Sequence, residues 1–122
     1  MVSSQSTWQF LKGIQEASAP SDAWRKPGFD DSAWSMGPTP FYYGETIAGG
    51  TTLADMQNRY SSVFLRQTFD FGTDGQVSEL RLRALCDDGF IVWINGLEVA
   101  RYNMPAGERA FNSFASASVS EP

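Results

Sequence analysis

The sequence has no histidine among its 122 residues. Histidine is the side chain that changes charge near neutral pH, acts as the base in Ser-His-Asp and Cys-His catalysis, and often binds zinc or copper. Its absence excludes these triads and any histidine-ligated metal centre. Catalysis would have to run on carboxylates, Lys, Tyr or the single cysteine, so a binding module is favoured over an enzyme.

Cysteine and basic residues are also scarce. Cys86 is the only cysteine, so no disulfide can form within the chain, and its predicted inward strand position indicates a small hydrophobe. Nine basic and fourteen acidic residues give a formal net charge of -5 at pH 7. Phosphate backbones are bound by basic surfaces, so we expect no nucleic-acid partner.

Long apolar runs are missing as well. No stretch approaches the ~20 residues of a membrane-spanning helix, and the start lacks the charged and apolar regions of a signal peptide. We therefore expect no membrane partner. What is present, 42% hydrophobic and 14% aromatic residues, predicts one globular domain over 1–122. Within it, 1–6 is expected to be a loose lead-in and 115–122 a weakly structured tail or edge strand.

The clearest strand pattern runs from Leu80 to Arg101. Apolar and polar residues alternate from Leu80 to Cys86, which predicts a strand with one inward face. Phe90–Ile94 is rich in β-branched and aromatic residues, which predicts a strand buried on both faces. Asn95-Gly96 predicts a type I′ hairpin turn leading into a return strand over Leu97–Arg101. The sequence thus predicts three consecutive antiparallel strands.

The rest of the chain predicts shorter elements. Trp8–Leu11 and the segment from Ser62 to Phe71 show strand alternation. A helical turn is expected over Pro20–Trp24 and a short capped helix over Thr52–Gln57. Many short strands with long loops in the first half indicate an all-β, antiparallel β-sandwich.

Three segments resemble the galactose-binding-domain-like jelly rolls, which include sugar-binding domains of β-galactosidase-type glycoside hydrolases and accessory domains of large secreted bacterial proteins. The segments are FDDSAW (29–34) with Trp24 upstream, FLRQTF (64–69), and DDGFIVWING (87–96) with Val99 and Arg101 downstream. The resemblance implies a jelly-roll sandwich, a non-catalytic carbohydrate-binding or accessory role, and an extracellular or cell-surface location.

The chain departs from this family after Phe114, where nothing resembles the family's closing strands. We therefore expect either replaced strands or a fragment, with an open sheet edge. Open edges invite pairing with another chain, so a homodimer through this edge is a second expectation. An assembly module that binds protein through the edge is the first alternative function, and a small carboxylate-dependent hydrolase is the second.

Carbohydrate binding would use aromatic rings for stacking and polar side chains for hydroxyl groups. The candidates are Trp24, Trp34, Tyr42, Tyr43, Arg66, Arg101 and Asn103. Tyr42 and Tyr43 lie in a loop flanked by Pro and Gly, where binding residues concentrate. The alternative for the tryptophans is core packing. The alternative for Arg66 is an ion pair with Asp87 or Asp88.

Asp87 and Asp88 are the candidate metal ligands, for a structural calcium ion completed by loop carbonyls. The alternative is a turn in which the carboxylates cap backbone N–H groups. For hydrolysis, two carboxylates must face each other across a cleft, and the loop residues Glu45, Asp55, Glu98 and Glu108 are available. Their spacing singles out no pair.

Overall fold

The computed structural model describes residues 2–70 and 77–120. Within them, the chain forms short strands and a single 3-10 turn, Ala23–Arg25. The strands are β1 (Thr7–Lys12), β2 (Ser35–Pro38), β3 (Phe41–Tyr42), β4 (Thr51–Thr52), β5 (Val63–Arg66), β6 (Phe90–Ile94) and β7 (Leu97–Tyr102). The predicted all-β class is confirmed. Across the two described ranges, no helix has the length and apolar character needed to cross a membrane.

The larger sheet has three antiparallel strands in the order β2-β1-β5. β1 is central, with Phe10 opposite Leu65 on one side and opposite Ser35 on the other. Phe10 is buried, and its ring centroid lies 5.1 Å from that of Phe41, which begins the small parallel pair β3-β4. The predicted strands at Trp8–Leu11 and from Ser62 are therefore present, the second one as Val63–Arg66.

The hairpin β6-β7 forms as the sequence predicts. Asn95 and Gly96 have φ values of 50° and 85°, the left-handed values that both turn positions of a type I′ hairpin require. The register shifts between Val92 and Trp93, where a bulge interrupts the ladder. The residues of β6 are all half-buried, so burial on both faces was wrong. In the described part of the chain, this sheet has only two strands, which leaves β6 partly uncovered.

The predicted strand over Leu80–Cys86 is wrong, because residues 77–86 form no strand. Leu80 and Leu82 are about half exposed and Leu85 almost fully exposed, while Cys86 is half-buried. Alternation makes a strand only when a neighbour takes its backbone hydrogen bonds. No described strand pairs with this segment. The end of the predicted earlier strand, Phe71, lies outside the described residues.

The core lies in the first half of the chain and is largely aromatic. Its buried hydrophobic residues are Phe10, Trp24, Trp34, Leu53 and Tyr60. Leu53 lies in the stretch where a short helix was predicted, Thr52–Gln57, and Tyr60 follows shortly after it. That stretch is a turn instead, in which the Met56 N–H donates to the Leu53 carbonyl oxygen at 2.9 Å. The predicted helical turn near Trp24 is present as the 3-10 turn.

Candidate functional site

The two candidate tryptophans of the first half, Trp24 and Trp34, are core residues. They are 7% and 9% exposed, and their ring centroids lie 6.1 Å apart. Trp24 also makes edge contacts with Phe64 at 5.2 Å and with Trp93 at 5.5 Å. A ring that stacks on a sugar needs an exposed face, whereas these rings face other aromatic side chains. The core alternative therefore accounts for both.

Arg66 fixes the FDDSAW loop to the sheet. Its Nε donates to the Asp31 carboxylate at 2.9 Å and its Nη1 donates to the Trp24 carbonyl oxygen at 2.7 Å. The guanidinium also lies 5.3 Å from the ring centroid of Phe29. The sequence suggested Asp87 or Asp88 as the ion-pair partner of Arg66, whereas the partner in the structure is Asp31. Arg66 thus joins β5 to the loop before β2.

Arg101 is similarly occupied. Its Nε and Nη2 donate to the two oxygens of Glu98 at 2.7 and 3.0 Å. Its Nη1 donates to the carbonyl oxygens of Pro105 and Gly107. The side chain therefore closes the loop after β7 rather than facing an open cleft.

Arg25 is a residue that sequence reasoning missed. Its guanidinium lies 4.0 Å from the ring centroid of Trp93 and forms a two-pronged ion pair with Glu108. The hydrogen bonds from Arg25 hold the pKa of Glu108 below its ordinary value, and those from Arg101 do the same for Glu98. A general acid for glycoside hydrolysis needs a raised pKa. Neither carboxyl group therefore suits that role.

Asn103 and Asp88 hold the segment that follows β7. The Asn103 Nδ2 donates to the carbonyl oxygens of Asp88 at 3.1 Å and Ala117 at 2.6 Å. An Asp88 carboxylate oxygen accepts the Val119 N–H at 2.7 Å. The main chains at the base of the hairpin come close together at Gly89, where a Cβ would lie only 2.8 Å from the Tyr102 carbonyl oxygen.

The structure gives Asp88 the capping role that was the alternative to metal binding. Among residues 2–70 and 77–120, no group of three or more His, Cys, Asp or Glu side chains is placed to hold a metal ion. Calcium binding at Asp87 and Asp88 stays a prediction.

The remaining candidates lie at the end of β3 and in the loop after it: Tyr42 is the last residue of β3, and Tyr43 begins the loop 43–50. The Tyr42 hydroxyl lies 3.1 Å from the Ile47 carbonyl oxygen and 3.3 Å from that of Gly49, and it shares its one proton between them, which links the loop to the strand. Tyr43 is 42% exposed. Beside the loop is an open cleft of about 300 Å³, lined by Gln5, Pro38, Thr39, Pro40, Ala48, Gly49 and Gly50.

The seven candidates therefore fall into three groups. Trp24, Trp34 and Arg66 lie together in the aromatic core, and Arg101 and Asn103 lie at the end of the hairpin. Tyr42, predicted in a loop, ends β3 instead, and Tyr43 follows it in the loop 43–50. Only in the last group is an aromatic side chain left exposed on a loop that is held in place.

A second cluster missed from the sequence joins Lys12, Asp55 and Tyr60. The Lys12 Nζ lies 3.0 and 2.9 Å from the two Asp55 oxygens, and the Tyr60 hydroxyl donates to Asp55 Oδ1 at 2.8 Å. These hydrogen bonds lower the pKa of Asp55, while burial and the carboxylate raise the pKa of Tyr60. Nothing in the local sequence signals this cluster, because Lys12 and Asp55 meet only when β1 packs on the later turn.

Comparisons with protein-family models, with curated proteins and with solved structures find no match to this chain.

Proposed function

We propose that this chain is a non-catalytic, carbohydrate-binding accessory module whose contact surface is the loop Tyr43–Gly50. The observation that carries the proposal is the exposed ring of Tyr43 on a loop held by the Tyr42 hydroxyl. Trp24 and Trp34 are buried in the core, and Tyr42 is half-buried. A held loop loses little conformational entropy on binding, which favours recognition by few contacts.

The chemistry of this surface suits a sugar. The C–H face of a pyranose can stack on the Tyr43 ring. The cleft at the far end of the loop, beside residues 48–50, offers the Gln5 amide as donor and acceptor and the Thr39 hydroxyl oxygen as acceptor, since the Thr39 proton is donated to the Ser4 carbonyl oxygen. The cleft is shallow and the contacts are few. We expect dissociation constants from high micromolar to millimolar, or about 4 to 6 kcal/mol of binding free energy.

We also propose that the described sheets belong to a galactose-binding-type jelly roll. Support comes from the structural role of each resembling segment. Arg66 binds Asp31 of the FDDSAW loop, Gly89 permits the close approach at the base of the hairpin, and Asn95-Gly96 forms its turn. These roles explain why those residue types stand at those places, and they belong to the scaffold rather than to a ligand site.

Affinity electrophoresis in gels containing soluble galactan, xylan or β-glucan tests the binding proposal. We expect at least one polysaccharide to retard the native chain and Tyr43→Ala to abolish the retardation. Tyr102→Ala is the matched control, because Tyr102 is similarly exposed but lies on β7. If Tyr43→Ala, with unchanged circular dichroism, is retarded like the native chain, or if no polysaccharide retards the native chain, the proposal fails.

A second candidate function, assembly through polypeptide contact, is favoured by the segment 77–86. Leu80, Leu82 and Leu85 are exposed there, and no described strand pairs with the segment. Clustered apolar side chains on an unpaired segment are typical of surfaces that bind another chain. Light scattering tests this. Leu82→Glu should weaken concentration-dependent association, whereas Ile14→Glu, at an exposed site in the turn that follows β1, should leave it unchanged. Equal association of the native chain and Leu82→Glu would contradict it.

A further inference from the structure

The segment 110–119 is held by a row of side chains that bind its main chain. At its start, a Glu16 carboxylate oxygen accepts the Phe111 N–H at 3.1 Å, and the Ser62 hydroxyl donates to the Phe111 carbonyl oxygen. The Ser61 hydroxyl donates to the Ser113 carbonyl oxygen at 3.2 Å. These contacts attach the segment to the end of the larger sheet.

The second part of the segment lies against the base of the hairpin. The main-chain oxygen of Asn103 accepts the Ser116 N–H at 2.8 Å, and its side-chain amide donates to the Ala117 carbonyl oxygen. The Asp88 carboxylate accepts the Val119 N–H. We name the side chains that make these contacts the tail seat: Glu16, Ser61, Ser62, Asp88 and Asn103.

The tail seat recognises main-chain groups far more than side chains. The segment that occupies it is rich in Ser and Ala, and its aromatic residues are Phe111, which is half-buried, and Phe114, which is 76% exposed. No residue of the segment is fully buried, so the large apolar side chains that lose cover when it leaves are the half-buried Phe111 and Val119. Segments held in this way are the first to open in a folded protein.

We propose that the tail seat is an exchangeable docking groove, which binds the segment 110–119 of a second copy of this chain when its own segment leaves. The occupant is identified by what the groove holds in this structure, since the same main-chain bonds form between copies without any new contact. Within one chain the segment has a high effective concentration, so exchange requires a concentrated protein. This inference is independent of the carbohydrate proposal and uses a different surface from residues 77–86.

A synthetic peptide of residues 110–120 tests the groove on the full chain. Val119→Pro in the chain removes the N–H that Asp88 accepts, so the chain's own segment competes less for the seat. We expect this variant to bind the labelled peptide about tenfold more tightly than the native chain. Adding Asn103→Asp to the variant should abolish binding, since Asp tolerates the left-handed backbone of Asn103 but cannot donate to Ala117.

A second peptide with proline at the positions of Ser116 and Val119 is the matched probe, because it lacks two of the three N–H donors to the seat. Binding of this peptide as tight as that of the native sequence would overturn the proposal, and so would a Val119→Pro chain that binds no more tightly than the native one. Light scattering supplies the second readout. Dimers that remain in Leu82→Glu at high concentration, and that excess 110–120 peptide dissociates but the proline peptide does not, support exchange, whereas a Leu82→Glu chain that is monomeric at every concentration contradicts it.

Discussion

The two described parts of the chain, 2–70 and 77–120, differ in how far their apolar side chains are buried. Among the residues that the structure describes, all five buried hydrophobic residues lie between Phe10 and Tyr60, in the first half, 2–70, which contains the three-stranded sheet. Eight of the twelve large hydrophobic residues that are exposed in the described ranges lie in the second half, 77–120: Val77, Leu80, Leu82, Leu85, Leu97, Val99, Tyr102 and Phe114. The first half forms a core, and the second contributes mainly the Trp93 ring to it.

The difference explains where each kind of recognition is expected. In the first half, Trp24, Trp34 and Arg66 are engaged in the core, so the exposed Tyr43 loop is left for a polar ligand. In the second half, the exposed apolar side chains of residues 77–86 and the exchangeable segment 110–119 can contact another polypeptide. Sugar binding is thus expected from the half that is well packed, and association from the half that is not.

The largest effect is expected at Trp24, which touches three other aromatic rings. Trp24→Ala should lower the free energy of unfolding by about 3 to 5 kcal/mol, since it leaves a cavity in the main core. Urea denaturation measures the loss, and Trp24→Phe provides a milder variant if Trp24→Ala does not fold. Tyr43→Ala should change stability by no more than about 0.5 kcal/mol. Equal effects of Trp24→Ala and Tyr43→Ala would refute the division between core and loop.

The next effect is expected at Gly89, where the hairpin meets the loop before it. A Cβ would lie 2.8 Å from the Tyr102 carbonyl oxygen and 2.9 Å from that of Asn103. Because main-chain atoms cannot move aside easily, Gly89→Ala should cost about 1 to 3 kcal/mol in urea denaturation. Ala84→Gly, in the unpaired segment, should cost less than about 0.5 kcal/mol. A Gly89→Ala variant as stable as the native chain would show that the main chain is not closely packed at Gly89.

A smaller effect is expected at Arg66, whose planar fork binds Asp31 and the Trp24 carbonyl oxygen together. Arg66→Lys keeps the charge but cannot reach both acceptors, so we expect a loss of about 1 to 2 kcal/mol by chemical denaturation. Lys26→Ala removes an exposed pair with Asp22 and should cost less than about 0.5 kcal/mol. Similar losses of stability in the two variants would show that the contacts of Arg66 with Asp31 and Trp24 contribute no more than an exposed ion pair.

The smallest effect concerns acid stability at Asp55. Hydrogen bonds from Lys12 and Tyr60 place its folded-state pKa below the ordinary carboxyl value. The stabilisation is therefore fully present above that ordinary value and is lost as the pH falls through the lowered pKa. Melting temperatures measured from about pH 6 down to about pH 2 should fall less steeply for Asp55→Asn than for the native chain. Parallel curves would show that the cluster contributes nothing to acid stability.

The sequence predicted the elements whose signals are local. Asn95-Gly96 supplies two residues that tolerate positive φ, so the hairpin is correct, and the alternation around Phe10 gives β1. The unpaired segment 77–86 was predicted wrongly, because strand formation depends on a neighbour that no local pattern reveals.

The site was predicted only in part, for a similar reason. Residue type identified Arg66 and Asn103 as polar recognition groups, but their partners, Asp31 and the segment 110–119, are distant in the sequence. Asp88 shows the same limit, since a carboxylate before glycine suits both a metal ion and a backbone N–H. Which of these it contacts is decided by tertiary packing.

Hydrogen exchange at two protein concentrations tests the contrast between the halves most directly. In dilute solution, the amides of Phe10 and Phe64 should be strongly protected, because they lie at hydrogen-bonded positions of the larger sheet, while those of residues 80–86 should exchange almost as fast as in an unfolded chain. At high concentration, association should slow exchange in residues 80–86 and leave β1 unchanged. Strong protection of residues 80–86 in dilute solution would contradict the account, since it would show that this segment is already paired within a single chain.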